Sequence, residues 1–379
     1  SCASYIRMRN NYSGSQFGEH TELENIKVTS VHEFFHSIQF GYNCYERLWF
    51  MEATAVWSED ELFDGINDLY RYLPSWFSNP NKPIDDESNH MYGTFIFFQY
   101  IDEHLGGSET IRSCWENSNI LANPVKDISF QAIDEALSSF NSSFEDALTR
   151  MRIANKILNA NAGIYSYTES DGYKSVVNPV PEELLFFQSG TIENTTNYSL
   201  ERYESNYYKL ETTSPVEINF FQQQGHSVLS SIVKHEDIDK WTVRSANTIN
   251  IDTGMDIEWI SLVVSSIDGE QSQWEYTIQI SDGYSEDFTL YNPYPNPSMG
   301  KNISLDLQST EQQEIQTSIV NILGETVWKS SHLFQEPDYI TLIWNGKNQY
   351  GKNVSNGIYF VKAKGKTKEI IHKIILMKK

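Results

Sequence analysis

Two histidines separated by three residues frame a glutamate in the segment His32-Glu33-Phe34-Phe35-His36. On an α-helix, residues i and i+4 lie on one face, so the two imidazoles can bind the same Zn²⁺ ion. Glu33 lies at the edge of that face, where its carboxylate can accept a proton from a metal-bound water without being a ligand. This spacing predicts one catalytic zinc ion with Glu33 as the general base.

A catalytic zinc site of this kind needs a third protein ligand. The candidate is Glu52, which lies within Trp49–Trp57, a run of Trp, Phe, Met, Ala and Val residues typical of a second helix. A carboxylate in such surroundings is costly to desolvate unless it is paired or bound to a metal. Glu52 is therefore predicted to be the third zinc ligand.

The alternative interpretation is a pair of histidines that only fill a protein core. The apolar flanks of the motif, which include Phe34 and Ile38, favour a helix buried beside a cleft, and Glu52 follows after a short connection. A third histidine ligand in the pattern HExxHxxGxxH is excluded, because Gln39 and Tyr42 stand where that pattern has Gly and His. The sequence thus favours a zinc site with a glutamate ligand.

The segment Trp49–Ala55 is similar to a W-x-x-E-G-x-A motif, with Ala53 in place of the glycine. Together with HExxH, it makes the chain resemble the gluzincin metallopeptidases, in which a glutamate ligand on a second helix follows HExxH. The resemblance implies a zinc-dependent peptidase in which a metal-activated water attacks the peptide bond. The roles that it implies are zinc ligand for His32, His36 and Glu52, and general base for Glu33.

The chain departs from the thermolysin-like branch of that family at one supporting position. That branch has an Asp four residues after its glutamate ligand, where this chain has Val56. Glu59 or Asp60 is expected to orient a ligand histidine instead. The residues before the motif are also fewer than a complete gluzincin amino-terminal lobe, so a truncated form of the enzyme is expected.

The resemblance also implies a group that stabilises the oxyanion and an edge strand that pairs with extended substrate. Tyr92 is the first candidate for the oxyanion donor and His90 the second; a packing tyrosine and a surface histidine are the alternative. Tyr5–Met8 is a candidate edge strand, or an ordinary structural strand. No residue is identified for the specificity pocket.

Composition limits the partners of the chain. Its 379 residues carry 28 Lys and Arg against 51 Asp and Glu, a net charge of −23 that disfavours nucleic acid and anionic membranes. No stretch reaches the length of about 20 apolar residues that crosses a bilayer. The three cysteines, Cys2, Cys44 and Cys114, allow one disulfide and a free thiol or three buried thiols.

Hydrophobic periodicity changes along the chain and divides it into three predicted domains. Helical spacing extends to about residue 158, two-residue alternation begins near residue 184, and a proline-rich stretch occupies residues 291–297. We expect a multidomain α+β fold, in which a mainly helical, zincin-like catalytic domain precedes two all-β domains, sandwich-like and Ig-like. The predicted domains are residues 1–165 (catalytic), 180–285 (β-sandwich accessory) and 290–379 (C-terminal).

The C-terminal domain carries motifs in a characteristic order: Tyr294–Gly300, Trp344-Asn345-Gly346, Gly357-Ile358-Tyr359 and a lysine-rich end. It resembles the C-terminal sorting domain of type IX secretion substrates. The resemblance implies export by that machinery and a secreted or surface-attached protein of a Gram-negative bacterium. The alternative is an Ig-like module whose lysines only block edge-to-edge aggregation.

These features predict a secreted, monomeric zinc peptidase that acts on protein or peptide substrates. The alternative is a catalytically inactive surface adhesin on a peptidase-like scaffold, which the intact Glu33 disfavours; a non-proteolytic zinc hydrolase is a third class. The pairs Asp237/Asp239 and Asp252/Asp256 are candidate Ca²⁺ ligands, although solvated acids are the favoured interpretation.

Overall fold

The structure is a computed structural model of the chain. Two compact units divide it: Ser1–Thr213, Glu217–Ile249 and Asp256–Ser281 form the first, and Ser214–Val216, Asn250–Met255 and Asp282–Lys379 form the second. The residues that the structure describes are 2–13, 17, 20–123, 126–195, 198–222, 227–237, 239–253, 257–267, 269, 273–283, 288–300, 302–310, 312–336, 338–366 and 368–377.

The first half of the first unit is helical. Its described helices are α1 (Glu22–Tyr42), α2 (Leu48–Phe63), α3 (Leu73–Ser78), α4 (His90–Gly93), α5 (Phe95–His104), α6 (Ser108–Leu121), α7 (Ser129–Leu137), α8 (Phe144–Ile157) and α9 (Ser170–Val176). A capping box starts α1: the Glu24 amide donates to Thr21 Oγ1 at 3.3 Å, and the Thr21 amide donates to Glu24 Oε2 at 2.8 Å. This cap fixes the register of the helix that carries both histidines.

Helix α2 is the central helix of this unit. It is apolar on nearly every side, and such a helix must be covered by neighbours all round. α1, α4 and α5 pack against it, and the Phe50 ring stacks on Trp115 of α6 with centroids 4.4 Å apart. Polar side chains between Glu52 and Asp60 are therefore held among packed neighbours.

Helix α1 is less buried than its apolar sequence suggests. Val28 is in the core, but the Phe34 and Ile38 side chains are 57% and 41% exposed. The expectation that the flanks of the motif are buried is wrong for these two positions, which lie on the outer side of the helix. A disulfide joins Cys2 to Cys44, just after α1, and Cys114 is a buried free thiol.

The predicted edge strand Tyr5–Met8 is not formed. Residues 2–9 have no strand pairing and are exposed, with 88% of the Tyr5 side chain accessible. The segment is attached instead at Cys2, whose amide donates to the Phe40 carbonyl at 3.3 Å, and at Met8, whose Sδ accepts from Ser30 Oγ at 3.5 Å. The alternation in the sequence is too weak to create a strand without a neighbouring sheet edge.

Two sheets complete the first unit. Their strands are β1 (Glu183–Phe186), β2 (Glu193–Asn194), β3 (Tyr198–Leu200), β4 (Ser205–Glu211), β5 (Val216–Gln222), β6 (Ser227–His235), β7 (Trp241–Ser245), β8 (Thr248–Ile251), β9 (Ile257–Ser266) and β10 (Trp274–Asp282). One sheet has the order β1-β4-β9-β6-β7; the other is β2-β10-β5-β8, with β3 also paired to β10. Tyr207, Ile232 and Val263 of the first sheet share one hydrophobic core with α2. The segments predicted as helical and middle domains therefore belong to one compact unit.

The second unit is all-β. Its further strands are β11 (Phe288–Leu290), β12 (Ser298–Met299), β13 (Ile303–Ser309), β14 (Gln313–Asn321), β15 (Thr326–Phe334), β16 (Asp338–Trp344), β17 (Gly357–Lys364) and β18 (Glu369–Met377). They form the sheets β11-β13-β16 and β12-β18-β17-β14-β15 around a core that includes Trp344. The combination of helices with several sheets confirms the predicted α+β class. In the described part of the chain, no helix is both long and apolar enough to cross a membrane.

Candidate metal centre

Helices α1 and α2 bring the three predicted ligands together. The Nε2 atoms of His32 and His36 are 3.1 Å apart, and the carboxylate of Glu52 faces both. Glu52 Oε2 lies 3.1 Å from His32 Nε2, and Glu52 Oε1 lies 3.6 Å from His36 Nε2. All three side chains are half-buried, so the cluster is open to solvent on one side.

The size of this triangle fits a zinc ion. Ligand atoms at about 2.0–2.1 Å from a tetrahedral zinc are separated from one another by about 3.3 Å. The three separations of 3.1, 3.1 and 3.6 Å surround that value. The cluster also consists of two imidazoles and one carboxylate, a ligand set that zinc accepts in catalytic sites. The residues present therefore fit a zinc ion without rearrangement.

Glu59 holds the outer nitrogen of His32. Its Oε1 lies 2.8 Å from His32 Nδ1, and its side chain is 5% exposed. Glu59 follows Glu52 by seven residues, which is two helical turns, so both carboxylates point to the same side of α2. A hydrogen bond of this type fixes the imidazole tautomer and leaves Nε2 free to bind a metal. Of the two residues predicted to orient a ligand histidine, the structure places Glu59 there.

Gln39 holds the outer nitrogen of His36 and was not predicted from the sequence. Its Oε1 lies 2.7 Å from His36 Nδ1, while its Nε2 donates to the Met51 carbonyl at 2.8 Å and to Thr54 Oγ1 at 2.9 Å. These two acceptors fix the orientation of the amide, so His36 Nδ1 donates the proton. The signal available in the sequence was the position of Gln39, three residues after His36 on the same helix; the structure shows that this side chain is fully buried.

The charges of the cluster are strongly coupled. Burial by itself lowers the pKa of His32, but the hydrogen bonds and charges of Glu52 and Glu59 outweigh it and raise that pKa to about 9. Burial raises the pKa of Glu52, yet hydrogen bonds from His32 and His36 reverse this effect and bring it down to about 2. For the most deeply buried acid, Glu59, burial dominates and the pKa is raised. Without a metal, a proton on His32 balances the carboxylates.

Glu33 and Tyr92 lie beside the cluster. The Glu33 side chain is half-buried, and its carboxylate makes no hydrogen bond within the described part of the chain. Tyr92 stacks on Tyr72 with centroids 5.1 Å apart. Burial, and next the charge of Glu52, raises the pKa of Tyr92, with a further contribution from Glu33. The phenol is thus close enough to both carboxylates to feel their charge.

His90 lies elsewhere. It is 3% exposed and stacks on Trp76 with centroids 4.4 Å apart, in the lining of a small cavity. Burial lowers its pKa to about 4, and neither ring nitrogen has a hydrogen-bond partner among the described residues. The structure therefore makes His90 a neutral core residue and does not bring it to the cluster. The expectation of a surface histidine as the alternative is wrong as well.

Asp60 does not contact a histidine. It lies in a separate acidic group with Asp64 and Glu169, and burial followed by the charge of Glu169 raises its pKa to about 8. Within the described residues, two groups of three or more His, Cys, Asp or Glu side chains lie close enough to share an ion. They are this acidic group and the cluster of His32, His36 and Glu52. Neither includes the predicted calcium ligands Asp237 and Asp239.

One member of the first predicted calcium pair is bonded to asparagine side chains, and one member of the second lies outside the described residues. Asp239 accepts hydrogen bonds from Asn159 Nδ2 at 3.0 Å and from Asn161 Nδ2 at 2.7 Å. Asp256, the partner of Asp252, lies outside the described residues.

Comparison with known proteins identifies the C-terminal part of the chain. Residues 292–377 match the family model of the secretion system C-terminal sorting domain. The match confirms the predicted sorting domain and implies interaction with the secretion machinery. The chain is therefore a secreted or cell-surface protein of a Gram-negative bacterium.

The similarities to solved structures are remote. PorZ, a surface component of the type IX secretion system of Porphyromonas gingivalis, is 16% identical over 26% of this chain and 14% of its own length, with a TM-score of 0.19. Latent PorU from the same organism is 12% identical over 45% of this chain and 21% of its own, with a TM-score of 0.24. A β-glucuronidase from Parabacteroides merdae is 8% identical over 48% and 29%, with a TM-score of 0.23. This chain thus spans less than a third of each, and no curated protein matches it.

Proposed function

We propose that this chain is a secreted zinc-dependent peptidase. The observation that carries the proposal is the convergence of His32 Nε2, His36 Nε2 and the Glu52 carboxylate within 3.1–3.6 Å of one another. Each imidazole is turned toward the cluster by a buried acceptor on its other nitrogen, Glu59 for His32 and Gln39 for His36. Two histidines that only filled a core would not need this arrangement.

The polar groups beside the cluster suit peptide hydrolysis. Bound zinc would supply a Lewis acid that lowers the pKa of a coordinated water and polarises the substrate carbonyl. Glu33, adjacent to His32 on α1, accepts the proton of the attacking water and delivers it to the nitrogen of the leaving amine. The hydroxyl of Tyr92 donates a hydrogen bond to the carbonyl oxygen as that oxygen gains negative charge. Secretion places such an activity outside the cell, with protein or peptide substrates.

Metal analysis combined with a peptide-library cleavage assay tests the proposal. We expect one zinc per chain in the wild type and in Glu33→Gln, with cleavage reduced about 10²- to 10⁴-fold in the variant. Glu52→Gln should lose zinc. Glu22→Gln, an exposed position in the first turn of the same helix, is the matched control and should cleave like the wild type. Zinc binding with cleavage that does not depend on Glu33, or with no cleavage, would refute the peptidase and leave a non-proteolytic or adhesive protein.

The role of Tyr92 has its own test. Tyr92→Phe removes one oxyanion donor and should lower kcat about 10²- to 10³-fold while zinc content stays at one per chain. Tyr72→Phe makes the same chemical change on the ring that stacks against Tyr92 and should have a much smaller effect. Equal losses in the two variants would show that the pair only packs together.

A further inference from the structure

The C-terminal end of α2 carries an unusual concentration of negative charge. Asp60 lies in the last turn, Asp64 caps the helix, and Glu169 approaches from the position that precedes α9. One oxygen of each carboxylate lies within 4.8 Å of the others. The carbonyls at the end of a helix already favour a positive charge, and α2 has no basic residue in its last turn. A cation at this position would therefore stabilise both the end of the helix and the three carboxylates.

Part of this group is buried and lacks a partner. Asp60 is 6% exposed, and its Oδ1 has no hydrogen-bond partner within the described part of the chain. Glu169 receives only neutral donors: Tyr70 donates to its Oε1 at 3.2 Å, and the Tyr173 hydroxyl also faces its carboxylate. An ionised carboxylate in such a position is costly unless a cation or hydrogen-bond donors compensate it.

The neighbouring side chains do not supply the missing charge. The groups that act most strongly on Asp60 are all acids: Glu169, Asp64, Glu61 and Glu103. The fully buried Tyr173 packs edge-on against Tyr70 at 5.3 Å, and both hydroxyls face Glu169; they are neutral donors, and burial still raises the pKa of Glu169. Buried oxygens therefore converge on this end of α2 without a counter-charge from the protein.

We propose that Asp60, Asp64 and Glu169 bind a calcium ion that joins the end of α2 to the start of α9. An all-oxygen set of carboxylates selects a hard cation. Oxygens within 4.8 Å of one another can share one such cation. Ca²⁺ accepts irregular sets of carboxylates and waters, whereas Mg²⁺ requires near-ideal octahedral geometry, so Ca²⁺ is the cation that we propose. Asp64 is exposed, so the ion has access from solvent and waters complete its coordination.

The site has a structural consequence for the metal centre on the same helix. Asp60 directly follows Glu59, which holds His32, and lies two turns beyond Glu52. A cation at Asp60 fixes the C-terminal end of α2 and neutralises repulsion that works against its folding. We therefore expect calcium to raise the thermal stability of the chain, whether or not zinc is present.

Calcium titration of the full chain tests the proposal. The protein is stripped with EDTA, transferred to chelator-free buffer, and titrated with CaCl₂ by calorimetry and by thermal unfolding, with and without one equivalent of zinc. We expect one Ca²⁺ per chain with a Kd of about 10⁻⁴–10⁻³ M, and a rise in Tm of roughly 5 °C at saturation. MgCl₂ at the same concentrations should give a much smaller rise.

Matched variants separate a specific site from general screening of an acidic protein. Asp60→Asn should weaken calcium binding at least about tenfold, as should Glu169→Gln. Without calcium, Asp60→Asn should melt at or above the wild-type Tm because repulsion is removed, which also shows that the variant folds. Asp171→Asn, at a side chain that is 94% exposed two residues after Glu169, should behave like the wild type. Equal responses of Asp60→Asn and the wild type, equal effects of Mg²⁺, or no binding by the wild type would overturn the proposal.

Discussion

Replacing Gln39 by leucine isolates the contribution of an uncharged buried residue to the proposed metal centre. Gln39 is fully buried and makes three hydrogen bonds, to His36 Nδ1 and to Met51 O and Thr54 Oγ1 of α2. Leucine has a similar volume and no polar atoms, so the main change is the loss of these bonds. The substitution leaves His36 Nδ1 without its acceptor and removes a link between α1 and α2.

The magnitude follows from those three bonds. At about 0.5–1.5 kcal/mol each, the loss of three bonds costs roughly 1.5–4.5 kcal/mol of unfolding free energy, partly offset by the burial of leucine. Loss of a partner that orients a metal-bound histidine typically weakens metal affinity or activity about 10- to 100-fold. We therefore expect both a lower Tm and a weaker zinc affinity in Gln39→Leu.

Two measurements distinguish orientation of His36 from simple core filling. Zinc affinity is measured on the stripped protein by competition with a chromophoric chelator, at a temperature where the variant is folded. Thermal unfolding of the stripped protein is followed separately. Gln131→Leu makes the same change at an exposed helical position, and neither quantity should move. A Gln39→Leu protein with lower Tm and zinc affinity within twofold of the wild type would refute the proposed orientation of His36.

Three further predictions concern the charges of this region. Zinc affinity of the wild type should rise about tenfold per pH unit up to about pH 9, because zinc must displace the proton that Glu52 and Glu59 hold on His32; a flat dependence in chelator competition would contradict this. In Glu59→Gln the rise should level off at a lower pH, since one of the charges that raise the pKa of His32 is gone, whereas an unchanged profile would show that Glu59 does not act on that proton. The third prediction applies without calcium. The pKa of Asp60 is about 8 when folded, against a usual value of 3.8, so the folded state holds its proton longer and stability falls between about pH 4 and 8. Asp60→Asn should therefore raise Tm at pH 8 and have little effect near pH 4, and equal effects at both pH values would rule out this titration.

The grouping of His32, His36 and Glu52 could be anticipated because it depends mainly on local chemistry. Two histidines at helical spacing share a face whatever surrounds them, and a glutamate within an apolar run must be compensated. The distances between the Glu52 carboxylate and the two imidazoles could not be predicted, because they depend on how α1 packs against α2. The choice between Glu59 and Asp60 was open for the same reason: adjacent residues on a helix differ by about 100° in direction, and only the packing shows which one faces the histidine.

Other features could not be predicted from the sequence because they depend on tertiary contacts. The sequence suggests a polar, accessible His90 beside Asn89, yet the imidazole is buried because it stacks on Trp76. Helix α6 has polar residues on most of one side and no strong apolar run, but Trp115 docks on Phe50 of α2. In the sequence, Gln39 served only to exclude the HExxHxxGxxH pattern, which has Gly at that position. Its place three residues after His36 nevertheless suits a hydrogen bond to His36 Nδ1.

The distribution of carboxylates on α2 connects the two proposed metal sites. A helix covered on all sides would ordinarily carry no acids inward, because each ionised carboxylate loses its hydration there. Here Glu52 and one oxygen of Glu59 are paired with the histidines of α1, whereas the charged side chains that act most strongly on Asp60 are all acids. Since all three lie on one rigid element, the unfavourable charge at its end also works against the packing that aligns Glu52 with His32 and His36. A cation at either position would reduce the repulsion between carboxylates on α2. Removing either metal should therefore lower the stability of α2 and of the helices packed against it.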